Sequence, residues 1–289
     1  MIGSALVLLS LLSLRADLSS FEPWFSTRGL AVAAAVLSTS RESPMPARLE
    51  ERGRPLVGAR FFLSPLGEGE LGHEEHEDHD PRLRFDAFDC TTFVETSMAL
   101  AVVNAPWSTR RELDSIRYRG EPSFLHRRHF PEQEWLPDLR AEHRLRDVTR
   151  ELGGSLTQRR IKHFDERVWS RRRYAGELVL PISRLPKGEV SLDVLPLDEA
   201  RSSWSRWPSG LLVNVVRVDG PGVPVIVAHQ GIFFRFDDGR AVVRHAAFPP
   251  IGRVIDEPVE QFLSRVGRLK TYEVDGLNLC EILDPTTTR

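Results

Sequence analysis

Lysine is almost missing from this chain. Of 39 basic residues among 289, only Lys162, Lys187 and Lys270 are lysines. A GC-rich coding sequence is reason enough for that bias. Cysteine is scarce too, with Cys90 and Cys280 alone. Two thiols cannot build a disulfide framework or a four-thiolate zinc site. One bridge, two free thiols or one free nucleophile stay open. Net charge is small, −2, which excludes a strongly basic nucleic-acid binder. Long apolar runs are missing. The run Ile2–Leu14 has thirteen residues, too few for an ordinary membrane span. There is no Gly-rich phosphate loop and no internal repeat. The remainder, 41% hydrophobic and 28% charged, is that of a globular protein with ample material for a core.

Residues 1–20 fit a signal segment through that apolar run, which implies export. Residues 21–55 read as an N-terminal extension. Within it Leu30–Leu37 could form a short helix, ended by Ser43-Pro44-Met45-Pro46. Pro65–Asp89 is strongly acidic and holds His73-Glu74-Glu75-His76-Glu77-Asp78-His79-Asp80. Zinc peptidases need H-E-x-x-H, and the order here is H-E-E-H, so a solvated loop is the better reading. Thr91–Val103 reads as a helix. Arg110–Arg173 is rich in arginine and should hold two or three helices, one spanning Leu136–Leu152. An anionic partner would account for its charge. Strand-like runs follow at Leu178–Ile182, Gly210–Val218, Val223–Phe236, Arg240–Ala246 and Tyr272–Leu283. Helices first and strands later give an α+β order.

Asp89-Cys90-Thr91-Thr92-Phe93-Val94-Glu95 puts a cysteine at the first turn of a helix that Asp89 can cap. Unpaired N–H groups and the positive dipole end there favour a thiolate and lower the thiol pKa. They can also receive an oxyanion. A thiolate nucleophile normally needs a base. Of nine histidines, His229 and His245 sit in strand-like sequence on either side of Asp237-Asp238-Gly239, a hairpin signal. A three-residue loop with Gly239 left-handed puts Phe236 opposite Arg240, Gly231 opposite His245 and His229 opposite Ala247. Both histidines then point to one face, with Gly231 leaving space beside them. A two-residue loop would put them on opposite faces. With the longer loop, Cys90 is the nucleophile, His229 its base and His245 the group that orients the base.

These residues belong to a larger ordered set. Phe88-Asp89-Cys90-Thr91-Thr92-Phe93-Val94-Glu95 is followed by Ile116-Arg117-Tyr118-Arg119-Gly120, then Arg127-Arg128-His129-Phe130 with Trp135. Asp147-Val148-Thr149-Arg150-Glu151-Leu152-Gly153-Gly154, Ala228-His229-Gln230-Gly231, Arg244-His245-Ala246 and Val274-Asp275-Gly276-Leu277-Asn278-Leu279 complete it. The set resembles the N-acetylmuramoyl-L-alanine amidase-like family, a branch of the NlpC/p60 superfamily of papain-like cysteine hydrolases. The resemblance runs from about Leu56 to Leu283 and marks residues 56–285 as an amidase domain. It implies an α+β papain-like fold, with the cysteine helix packed on an antiparallel sheet that carries the histidines. It implies Cys90, His229 and His245 as catalytic residues, no metal or organic cofactor, and a secreted or periplasmic enzyme.

The substrate implied is peptidoglycan or a muropeptide, cut between N-acetylmuramic acid and L-alanine, with no nucleic-acid partner and no stable membrane span. Asp89, Arg127 and His129 are candidate substrate contacts, since stem peptides carry carboxylates that an Arg fork can grip. The family's Gly-x-Pro-Tyr segment before the cysteine is replaced by Gly58-Ala59-Arg60-Phe61-Phe62-Leu63-Ser64-Pro65, without tyrosine. Three rivals remain: a γ-D-glutamyl endopeptidase of the same superfamily, a catalytically silent wall-binding module, and a metal binder using His73, His76 and His79. A free nucleophile excludes a Cys90–Cys280 bridge and leaves Cys280 as a small buried residue.

Overall fold

The structure, a computed structural model, describes residues 22–69, 78–165, 169, 180–220 and 223–286. The expected signal segment, His73 and His76 lie outside the described residues. Two helices open the fold, α1 (Thr27–Ser38) and α2 (Met45–Gly53). Short strands β1 (Arg60–Phe61) and β2 (Ala87–Phe88) lead into α3 (Cys90–Val102). Next come α4 (Thr109–Arg117), α5 (Leu136–Ala141), β3 (Leu145–Asp147), α6 (Thr149–Gly153) and β4 (Gln158–Phe164). The last part holds β5 (Gly188–Pro196), α7 (Leu197–Ser203), β6 (Leu211–Arg217), β7 (Val227–Arg235), β8 (Ala241–Ala247), β9 (Arg253–Pro258), α8 (Val259–Val266) and β10 (Val274–Ile282). The result is a mixed α+β fold. No helix among the described residues is long and apolar enough to cross a membrane.

One sheet of ten strands has the order β2-β1-β9-β8-β7-β6-β10-β5-β4, with β3 also on β10. All pairs are antiparallel except β1 with β2. Alternation along the central strands divides the core. Ile232, Phe234, Val242 and Ala246 pack with Phe93, Val94 and Leu100 of α3. Phe233, Val243, Val213 and Leu279 face the other way, against Phe262 and Leu263 of α8.

Helix α3 is the buried axis of the molecule. A capping box starts it: Asp89 Oδ1 accepts from the Thr92 N–H at 2.8 Å, and Thr92 Oγ1 accepts from the Asp89 N–H at 3.0 Å. Its C-terminal carbonyls meet buried arginines. Arg52 Nη1 donates to Leu100 O at 2.9 Å and Val103 O at 2.7 Å, and Arg48 Nη1 to Ala101 O at 2.8 Å. Cations at this end suit the helix dipole. Arg48 and Arg52, ahead of Leu56, are therefore bonded into the core.

Two local expectations need correction. The helix expected over Leu136–Leu152 is two short helices with β3 between them, because β10 recruits Leu145–Asp147 as a partner. Ile182, the end of an expected strand, opens a 3-10 turn instead. Part of the arginine-rich segment is paired internally: Arg117 pairs with Glu95, Arg119 and Arg128 with Asp138, Arg140 with Asp147, and Arg144 with Glu112.

Candidate active site

The hairpin has the three-residue loop. Gly239 has φ +85°, the Phe236 N–H donates to Arg240 O, and Ile232 faces Arg244 and Arg235 faces Ala241. His229 and His245 accordingly share a face, and His229 Nε2 lies 2.9 Å from His245 Nδ1. Both rings are buried against Phe262 of α8, with centroids at 6.4 and 5.3 Å. Gly231 has the role its sequence position suggests. A Cβ there would stand 2.8 Å from Val243 Cγ1 and 2.9 Å from His245 Cβ. Gly231→Ala is therefore expected to push His245 off His229. The overpacking should cost about 1–3 kcal/mol of stability and lower turnover. Thermal denaturation and kinetics check both; an alanine variant with unchanged turnover contradicts this account.

Sequence reasoning missed the next partner. His245 Nε2 lies 2.9 Å from Glu257 Oε2, and Arg265 Nη2 donates to the same oxygen at 2.8 Å. In the β8–β9 ladder His245 faces Ile255, and Glu257 stands one alternation further on the same side. That alternation, Arg253 to Pro258, was the available signal. Glu257 is pulled down to about 2, against burial, by His245 and Arg265. It is a carboxylate and can only accept. His245 Nε2 must therefore carry the proton and donate. Burial lowers the His245 pKa and keeps it neutral, so its Nδ1 accepts and His229 Nε2 donates. That leaves His229 Nδ1 bare. This nitrogen is buried and has no hydrogen-bond partner. Burial first, then the neighbouring His245 and Arg265, hold the His229 pKa well below the ordinary imidazole value.

Cys90 is half-buried and free, as Cys280 is free and fully buried. Phe236 points its N–H toward β8, so alternation points the Gln230 N–H the same way. The β7–β8 ladder ends at Ile232–Arg244. The Gln230 N–H thus lies past the last pair, and there it meets the Cys90 sulfur. The nucleophile candidate thus sits beside Gln230, the residue next to the base candidate. The expected fall in thiol pKa does not occur. Burial, then the neighbouring Asp89 carboxylate, push the thiol up to about 12 against the N–H groups of Gln230 and Thr91. Tyr272, before β10, is a further neighbour: its phenol is held up by burial and then by the Cys90 charge.

The three candidate substrate contacts all have internal partners. Asp89 caps α3 and accepts the Ser64 N–H at 3.0 Å. Arg127 donates to Glu68 Oε1 at 2.6 Å and reaches Asp78 at 3.4 Å. His129 Nε2 lies 2.6 Å from Phe124 O, and burial drives its pKa down to about 3. Each group is spent on the protein itself. The expectation of an open Arg fork at Arg127 meets a guanidinium already occupied.

Residues 56–267 match the model of a family described as AmiA-like, N-acetylmuramoyl-L-alanine amidase-like. None of the curated proteins is a significant sequence match. Among solved structures, a Legionella pneumophila protein superposes with a TM-score of 0.73 at 20% identity, over 87% of this chain and 94% of that one. An N-acetylmuramoyl-L-alanine amidase from Bacteroides uniformis gives a TM-score of 0.59 at 18% identity, over 82% of this chain and 98% of the other. At these identities the likeness is one of fold.

Proposed function

The chain belongs to the N-acetylmuramoyl-L-alanine amidase-like family, and on that premise we propose that it is a cysteine amidase of the cell envelope. It hydrolyses the amide between N-acetylmuramic acid and L-alanine in peptidoglycan or muropeptides. A secreted or periplasmic location follows from that substrate. The observation that carries the reading is the hydrogen-bonded line His229–His245–Glu257, which leaves a bare imidazole nitrogen in the strand whose next residue, Gln230, faces the first turn of the cysteine helix. A cysteine at the start of a sheet-packed helix, beside the strand that carries His229, supports a papain-like, NlpC/p60 type of fold.

The resting pair is a neutral thiol and a neutral imidazole. His229 Nδ1 takes the thiol proton as sulfur attacks the lactyl carbonyl carbon. N–H groups at the α3 N-terminus receive the oxyanion. The C–N bond breaks, His229 gives its proton to the alanine amine, and a thioester remains. Water, deprotonated by His229, releases the lactyl carboxylate and restores the thiol. Asp89, Arg127 and His129 enter this proposal as residues that hold the walls of the site.

Mass spectrometry of muropeptide digests tests the bond. Free disaccharide with an intact stem peptide is expected. A disaccharide that keeps L-Ala-D-Glu would identify the endopeptidase instead, and uncleaved but bound substrate a silent binding module. The protonation states also fix a pH dependence. A lowered His229 pKa keeps the base unprotonated further into acid, so the acid limb of kcat/KM should fall below the ordinary imidazole midpoint of about 6.5. A thiol at about 12 contributes no limb near neutrality. A pH–rate profile with an acid midpoint above about 7 would contradict these states.

A further inference from the structure

Several of the sequence blocks quoted above carry residues that the proposed chemistry leaves unused: Thr91, Asp147, Thr149, Gln230 and Asn278. The structure joins them. Asn278 of β10 faces Asn214 of β6, and Asn214 faces Gln230 of β7. All three side chains are essentially inaccessible, at 0, 0 and 1% exposure. Buried amides are costly unless hydrogen-bonded, so three at facing positions in the centre of a sheet call for a reason. They form one directed chain. Thr91 Oγ1 donates to Gln230 Oε1 at 2.8 Å, Gln230 Nε2 to Asn214 Oδ1 at 2.8 Å, and Asn214 Nδ2 to Asn278 Oδ1 at 3.0 Å. Asn278 Nδ2 then donates to Asp147 Oδ2 at 2.9 Å, and Asp147 is held by Arg140 at 2.9 Å. The chain starts at the residue after Cys90 and ends on a carboxylate across the sheet.

We propose that Gln230 is a positioning residue for Cys90, clamping it from two sides and anchored by this amide chain. Its main-chain N–H meets the sulfur, while its side chain fixes the hydroxyl of Thr91, whose Oγ1 lies 4.0 Å from that sulfur. An amide side chain can rotate to swap its donor and acceptor. The Asp147 end prevents this: a carboxylate accepts only, so it sets the Asn278 amide, which sets Asn214, which sets Gln230. Gln230 Oε1 is thereby left facing α3 as an acceptor. Such chains strengthen cooperatively in a low-dielectric interior. The sheet thus fixes the first turn of α3, and with it the angle at which sulfur approaches the carbonyl. The inference rests on Cys90 as the nucleophile of the proposed reaction.

Thr91→Val tests it at the accessible end, since it keeps shape and removes the hydroxyl; Gln230→Met removes both side-chain bonds. With a disaccharide–peptide substrate, both should lose about 10- to 100-fold in kcat, the scale of a small misplacement of reacting groups. KM should stay within about twofold, and Cys90 should alkylate with iodoacetamide at a changed rate. Thr91→Ser, which keeps the hydroxyl, should stay near wild type. Circular dichroism and melting temperature show that each variant is folded. If Gln230→Met fails to fold, Thr91→Val decides. A folded Thr91→Val with unchanged kcat and alkylation rate overturns the clamp. Cys90→Ala in parallel separates the two claims: activity kept there overturns the nucleophile, while the alkylation rates still decide the clamp.

Discussion

Cys90→Ala is expected to lose hydrolysis of muropeptides by about 10⁴-fold or more, the scale seen when one member of a nucleophile–base pair is removed. Cys90→Ser should do little better. A serine hydroxyl holds its proton more tightly than even a thiol raised to about 12, and a neutral imidazole with a depressed pKa is a weak base for it. Iodoacetamide should label the half-buried Cys90 in the native protein and reach the fully buried Cys280 only after unfolding. Activity should fall in proportion to the first labelling. Cleavage by Cys90→Ala at more than a tenth of the wild-type rate would remove the cysteine from the chemistry.

Glu257→Gln carries the second large effect, about 10³-fold in kcat, although Glu257 lies two hydrogen bonds behind His229. Arg265 donates to Glu257 through Nε at 2.9 Å and Nη2 at 2.8 Å, while His245 Nε2 lies 2.9 Å from Oε2. A glutamine has one acceptor oxygen. Arg265 claims it, which turns the amide NH₂ toward His245. His245 Nε2 must then accept, its Nδ1 takes the proton, and His229 Nε2 becomes the acceptor. The proton of His229 moves to Nδ1, and the base nitrogen is filled. Fold and KM should change little. Ring-nitrogen NMR reads the tautomers directly; a variant with less than about a tenfold loss and unshifted tautomers would refute the relay. The carboxylate also has a stability signature. Its pKa in the fold, about 2, lies below the unfolded carboxylate value of about 4.3. Its contribution is therefore present above about pH 4.3 and lost as pH falls toward 2.

The site's spine was legible because it rests on local rules. Asp89 before Cys90 and Thr92 three residues after Asp89 specify a helix start, and the capping box is there. Asp237-Asp238-Gly239 specifies a loop length, and loop length fixes which faces the histidines take. Glu257 was missed because no turn signal of that strength fixes the register of β9 on β8 (Glu257 opposes Val243). The thiol pKa was misjudged because a helix-dipole argument omits the burial and the Asp89 charge around the sulfur. Arg127 looked open because its partners Glu68 and Asp78 lie 59 and 49 residues away. The helix expected through Leu136–Leu152 failed for the same reason, since a distant strand, β10, decides the state of Leu145–Asp147.

Exposed turns are where proteins usually accept inserted or deleted residues. The turn at Asp237–Gly239 reverses that expectation. Its exposed side chains can be exchanged freely so long as Gly239 keeps its backbone, yet losing one residue would rotate a whole strand by half a pleat and carry His245 to the far side of the sheet. The tip of this hairpin therefore tolerates spelling errors but not frame errors. Lineages of this protein should vary the letters of the loop and keep its length.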